Sequence, residues 1–155
     1  MKILRERITG DLATPFQKVT DYTYSFKIPD TDYNYIVTFD QSSYDEIDVV
    51  FKLYNKDHKK GTHNQVDVGM RGAAIVFHTV WAILRTFLEN SLDPISWVTF
   101  AAKEAETSRV KFYATLAKEL ALHYNQDPSD IETRRIETTE STIEYRVPVF
   151  IEGRV

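Results

Sequence analysis

The chain has 155 residues, 43% hydrophobic and 27% charged, a balance that fits one globular domain over residues 1–155 and excludes a long disordered tail. A net charge of −4 opposes binding to a nucleic-acid backbone. Cysteine is absent, so disulfides, thiolate nucleophiles and sulfur-ligated metals are excluded, and a reducing, cytoplasmic setting is expected.

The first third alternates as strands do. Val19 to Ile28 places Tyr22, Tyr24, Phe26 and Ile28 on one face, and Pro29 to Asp32 reads as a turn. Tyr33 to Phe39 is the second predicted strand, Asp40 to Ser43 the next turn, and Glu46 to Leu53 the third strand, with Ile47, Val49, Phe51 and Leu53 inward. From Asn55 to Gly69 polar residues dominate, and the basic run from Lys52 to Lys60 reads as a solvated loop.

The period then changes. From Gly72 to Glu89, apolar residues at 75, 76, 80, 83, 84, 87 and 88 predict a long amphipathic helix, closed by Asn90-Ser91 and Asp93-Pro94. Polar residues at His78, Thr79, Arg85 and Thr86 interrupt it, so a core helix is expected rather than a membrane span. Nor does Met1 to Arg7 carry the apolar core of an export signal. Ile95 to Ala101 is a strand of β-favouring residues, and Thr107-Ser108 can cap a second helix running to about His123 with Val110, Tyr113, Leu116, Ala117 and Leu120 inward. Ser141 to Ile151 is the closing strand, where Pro148 implies an edge or a bulge, and 131–138 reads as a weaker partner. Ile151-Glu152-Gly153-Arg154 also reads as a protease-recognition tetrapeptide.

The predicted architecture is α+β, in the order β-β-β-α-β-α-β, with two main helices on a mixed, mostly antiparallel sheet. A parallel pair is expected between the third strand and the strand at Ile95, because a helix joins them.

Chemistry concentrates at Gly69-Met70-Arg71-Gly72-Ala73-Ala74. A helix N-terminus presents unpaired N–H groups and a positive dipole end, and small residues there admit a phosphate; equally, the two glycines could only shape a loop and a tight helix entry. Glu46 and Asp48 are the carboxylates preceding the long helix, candidates for a general base or for solvent-facing positions. Tyr113 is either a core tyrosine or an acid. The four histidines, at 58, 63, 78 and 123, lack metal-ligand spacing, and His78 beside Phe77 and Trp81 reads as a packed or surface residue. Lys59, Lys60 and His63 to Gln65 offer a basic rim suited to a 3′-phosphate or to any polyanion.

With the helix opening Arg71-Gly72-Ala73-Ala74 and the mid-helix Tyr113, this succession resembles the core of the GNAT N-acetyltransferase superfamily over residues 20–150. The resemblance implies acetyl-CoA as cofactor, its pyrophosphate held by backbone amides from Gly69 to Ala74, with Tyr113 protonating the leaving thiolate, Glu46 as base and a small-molecule or protein amine as acceptor. The family's cofactor pattern, Gln/Arg-x-x-Gly-x-Gly/Ala, is incomplete in either register: with Arg71 first, Ala74 and Val76 replace glycines; with Gly72 and Ala74 in the small positions, Gly69 replaces Gln or Arg. The alternative implication is a GNAT-shaped protein without the cofactor, serving as a binding or structural module. The chain is also similar to small proteins encoded by tailed bacteriophages, for which the setting would be the host cytoplasm. An aromatic content of 13% suits either a filled core or a homodimer through the tyrosine-rich hairpin or the last strand.

Overall fold

A computed structural model describes residues 12–55, 60–62, 69–137 and 139–153, with the backbone alone at 54–55, 60–62 and 69–71. Its strands are β1 (Phe16–Thr20), β2 (Thr23–Lys27), β3 (Tyr33–Ser43), β4 (Glu46–Asn55), β5 (Lys60–Thr62), β6 (Ile95–Lys103), β7 (Glu132–Glu137) and β8 (Ser141–Ile151). Its helices are α1 (Gly69–Glu89) and α2 (Thr107–His123). The protein is α+β, with an eight-stranded, mostly antiparallel mixed sheet in the order β1-β2-β3-β4-β6-β8-β7, β5 pairing with β4 off that path. Contacts divide the chain into two compact units, Met1–Thr38 with Phe51–Phe87, and Phe39–Val50 with Leu88–Val155.

In the first unit the expected strand from Val19 to Ile28 is two strands. A turn at Asp21-Tyr22 separates them, the Tyr22 N–H donating to Thr20 Oγ1 at 3.2 Å, and a register shift between Lys18 and Thr20 completes the reversal. Tyr22 continues the alternation of Tyr24 and Phe26 in sequence, which hid the turn, yet it is 48% exposed while those two are buried. Tyr24, Phe26, Tyr35, Val37, Phe51 and Leu53 form the buried face. Phe26 stacks on Tyr35 at 5.2 Å, and Tyr35 lies 6.2 Å from Phe51. Removing each such side chain from water contributes about 1.5–3 kcal/mol. Helix α1 begins one turn earlier than its apolar pattern, at Gly69, and buries Ile75, Val76, Val80, Ile83, Leu84 and Phe87. Its stretch Gly72–Glu89 is long and apolar enough to cross a membrane, but 61% of it is buried inside the protein, as in a core helix.

In the second unit the expected parallel pair is present: β4 runs beside β6 from Glu46↔Trp97 to Val49↔Phe100. Helix α2 packs on β6 and β8 through Tyr113, Leu116, Ala117, Leu120 and Ala121. Its buried face is offset from the expected one, because Arg109 is buried where Val110 is only half so. Arg109 Nε lies 3.6 Å from Glu106, whose backbone caps the helix without a side-chain bond, so Thr107-Ser108 is not the cap. The Glu106 carboxylate instead accepts from the Lys103 N–H at 3.3 Å. Pro148 sits in an inner strand, opposite Trp97 and beside the register shift between Ile95 and Trp97. Strand β7 reaches only to Arg146, so beyond it β8 is hydrogen-bonded on one side alone, where a missing N–H is tolerated.

The tail belongs to the fold. Ile151 pairs with Ile95, and Gly153 adopts φ +89° against the 92–94 backbone, so half of the protease-like tetrapeptide is structural. The basic run at 56–59, Lys59 of the polyanion rim and the 63–65 segment lie outside the described residues.

Candidate functional site

Gly69, Met70 and Arg71 form the first turn of α1, which contains no acidic residue. The amides at a helix start have no intrahelical partner, and they meet the positive end of the dipole. Ala73 and Ala74 lie deeper: in a helix beginning at Gly69 their N–H groups bond to the carbonyls four residues earlier, at 69 and 70. The predicted six-residue cradle therefore narrows at its C-terminal end, because the helix begins at Gly69 rather than at Gly72. Gly72 is buried, Ala73 exposed and Ala74 half-buried, while Val76 turns into the core. These residues belong to the first unit, and the other two candidates to the second.

Tyr113 is 1% exposed. Its ring stacks on Phe100 at 5.4 Å with 29° between the planes, and Phe112 meets it edge-on at 6.0 Å. Side chains alternate across a strand, so Val98, Phe100 and Ala102 face α2 while Trp97 and Thr99 face the other way.

Glu46 is on that other face. It stands in register with Trp97, and its Oε1 accepts from Arg146 Nε at 2.7 Å while Oε2 accepts from the Ser42 hydroxyl at 3.0 Å. The Arg146 guanidinium lies 3.7 Å from the centroid of the Trp97 ring and also donates to Glu132 at 3.3 Å. Beside it the Thr99 hydroxyl donates to Asp48 Oδ1 at 2.8 Å, and Arg134 pairs with Glu144 at 2.7 Å. Burial pushes the Asp48 carboxyl above the ordinary aspartate range; the Thr99 bond opposes this, and Glu144, Asp40 and Glu46 add to it.

Glu46 and Tyr113 therefore lie on opposite faces of the sheet. A general base and a general acid acting on one reaction must each come within about 2.6–3.2 Å of the transferring proton. This structure does not bring the two together. Asp48 shares the Glu46 face, so exchanging one carboxylate for the other leaves the separation unchanged.

The sequence reading missed the ionic cluster around Arg146. Its signal was present as two short patterns, Glu132-Thr133-Arg134 and Glu144-Tyr145-Arg146, which in an antiparallel hairpin place each acid opposite a base. Among the described residues no group of three or more His, Cys, Asp or Glu could hold a metal ion. His78 is buried, edge-on to Phe77 at 5.9 Å. In comparisons with known proteins, no family model, no curated protein and no solved structure matches this chain.

Proposed function

We propose that this chain is a GNAT-shaped binding or structural module rather than a working acyltransferase. The element order and the parallel β4–β6 pair joined across α1 support the GNAT-like frame. The observation that carries the non-catalytic reading is the separation of Glu46 and Tyr113 by the sheet, with Glu46 held by Arg146 and Ser42 and Tyr113 built into the core under Phe100. Fold likeness does not establish activity; a site must.

One observation favours a second reading, an acyl-CoA-dependent N-acyltransferase with a small-molecule or protein amine as acceptor. The first turn of α1 lacks acidic residues, and the amides of Gly69, Met70 and Arg71 have no partner within the helix, the arrangement a diphosphate would use. In that reading Tyr113 serves as acid, and the base is a group other than Glu46.

A thermal melt with and without millimolar acetyl-CoA separates the two. A ligand at a hundred times its Kd adds about 2.7 kcal/mol to stability, so a cofactor site would shift the midpoint and a module would leave it unmoved. Should a shift appear, its loss in Gly72→Trp would assign it to the helix start and favour the transferase.

A further inference from the structure

The N-terminal hairpin carries a cavity that neither reading uses. It is a half-open depression of about 450 Å³ whose lining comes entirely from residues 14–34, with Pro15, Gln17, Lys27 and Pro29 exposed at its rim. Gln17 stands opposite Ser25, and Lys27 opposite Asn34, so these four share one face of the three-stranded meander. The other face carries the buried Tyr24, Phe26 and Tyr35.

Both ends of the cavity are pinned. On one side Pro15 follows Thr14, whose N–H donates at 3.0 Å to the hydroxyl of the fully buried Thr79. On the other, Pro29 lies in a turn closed by the Thr31 hydroxyl donating to the Ile28 carbonyl at 2.8 Å and by the Ile28 N–H donating to the Tyr33 carbonyl at 3.1 Å. Proline at each rim fixes φ further. A ligand entering this space meets a backbone already ordered, and orders chiefly the Lys27 and Gln17 side chains.

Lys27 is the one charged residue in the lining. It makes no ion pair among the described residues, although Asp30 and Asp32 follow in the same turn. Directly opposite, Asn34 brings a carboxamide within about 5 Å between Cβ atoms. The Asn34 NH2 gives one hydrogen to the Asp32 carbonyl at 3.4 Å, and its second hydrogen, on the same face as the Lys27 ammonium, leaves a pair of donors and one positive charge. A carboxylate answers with paired acceptor oxygens and one negative charge, whereas a phosphate dianion would leave a charge unmatched. The Ser25 and Thr14 hydroxyls suit a polar substituent, and the proline rings a short apolar body.

We infer that this cavity binds a small organic monocarboxylate, with Lys27 and Asn34 holding the carboxylate. The site is independent of acyl transfer and stands or falls separately from the cofactor melt.

The test is a backbone-amide NMR titration of the full chain with butyrate. Its controls are butyramide as the neutral isostere, inorganic phosphate, and an N-acetylated tripeptide with a free C-terminus. Butyrate should give saturable shifts confined to 14–17, 25–29 and 34, and butyramide none. Lys27→Met should weaken butyrate roughly tenfold or more, and Lys27→Arg should retain it. Lys27 is exposed, so its substitution leaves the fold intact, and the butyramide arm reads the charge requirement in the unaltered chain. Shifts that are scattered, unsaturable or undiminished in Lys27→Met would overturn the assignment. So would tighter filling by phosphate, or by the tripeptide, which would make the ligand a protein chain end.

Discussion

Arg146 lies over the ring of Trp97, its guanidinium carbon 3.7 Å from the ring centroid, while the same side chain holds Glu46 and Glu132 at 2.7 and 3.3 Å. One cation thus ties β8 to an aromatic ring on β6, a carboxylate on β4 and another on β7. A planar guanidinium can stack and form in-plane hydrogen bonds at once, which an ammonium cannot do.

Replacing Arg146 with methionine should therefore destabilise the protein by about 1–3 kcal/mol, through lost stacking and the half-buried Glu46 left without its cation. Lysine should recover only part of that loss. Urea denaturation of the three chains checks the order, and equal stability of the lysine and arginine forms would show that charge alone matters.

Asp48 gives a pH dependence with a definite sign. Its folded-state pKa is raised, chiefly by burial, so between the ordinary aspartate value and the raised one the folded protein binds more proton than the unfolded chain. Stability from this group is present below the ordinary value and lost as pH rises through the folded value. Asp48→Asn keeps an acceptor for Thr99 and removes the titration. The variant should be the more stable protein at neutral pH, and its advantage should shrink as pH falls through the raised value and be gone below about pH 4. Melting curves of both proteins across that range decide it.

Tyr113 separates the two functional readings. Tyr113→Ala empties a fully buried site against Phe100 and should cost about 3–5 kcal/mol whatever the function. Tyr113→Phe keeps the ring. If the chain is a module, the phenylalanine form should behave as the parent in every binding assay. If acetyl-CoA-dependent acylation of an amine is measurable, the same change should lower kcat about a hundredfold or more with little change in KM.

Gly153 should resist substitution. With φ at +89° and a hypothetical Cβ 2.8 Å from the Leu92 carbonyl oxygen and 2.9 Å from the Asp93 carbonyl carbon, Gly153→Ala strains its own backbone and collides with another. A loss of about 1–3 kcal/mol by thermal or chemical unfolding is expected. An alanine form as stable as the parent would show that the tail detaches without cost.

Local patterns were enough to read most elements. Alternation marked β3, β4, β6 and β8, the three-and-four spacing marked α1 and α2, and the helix between Leu53 and Ile95 implied the parallel pair that β4 and β6 form. Each of these follows from the period of the backbone itself, which a short window of sequence contains. The Asp21-Tyr22 turn was not legible, because Tyr22 keeps the alternation in phase across it. The helix start at Gly69 was hidden too, because its first turn carries no part of the apolar repeat that marks the rest of α1.

The site depended on information that no window holds. Glu46 and Arg146 are 100 positions apart and meet only because β4, β6 and β8 lie side by side. Tyr113 and Glu46 were each plausible alone, and strand parity put a sheet between them. The sequence by itself determined most of the inward-facing residues along each element, since that is a local periodicity, and failed where a turn at Tyr22 and a buried Arg109 broke the pattern. Only the tertiary structure decided which faces meet, because the pairing of distant strands is set by packing over the whole sheet.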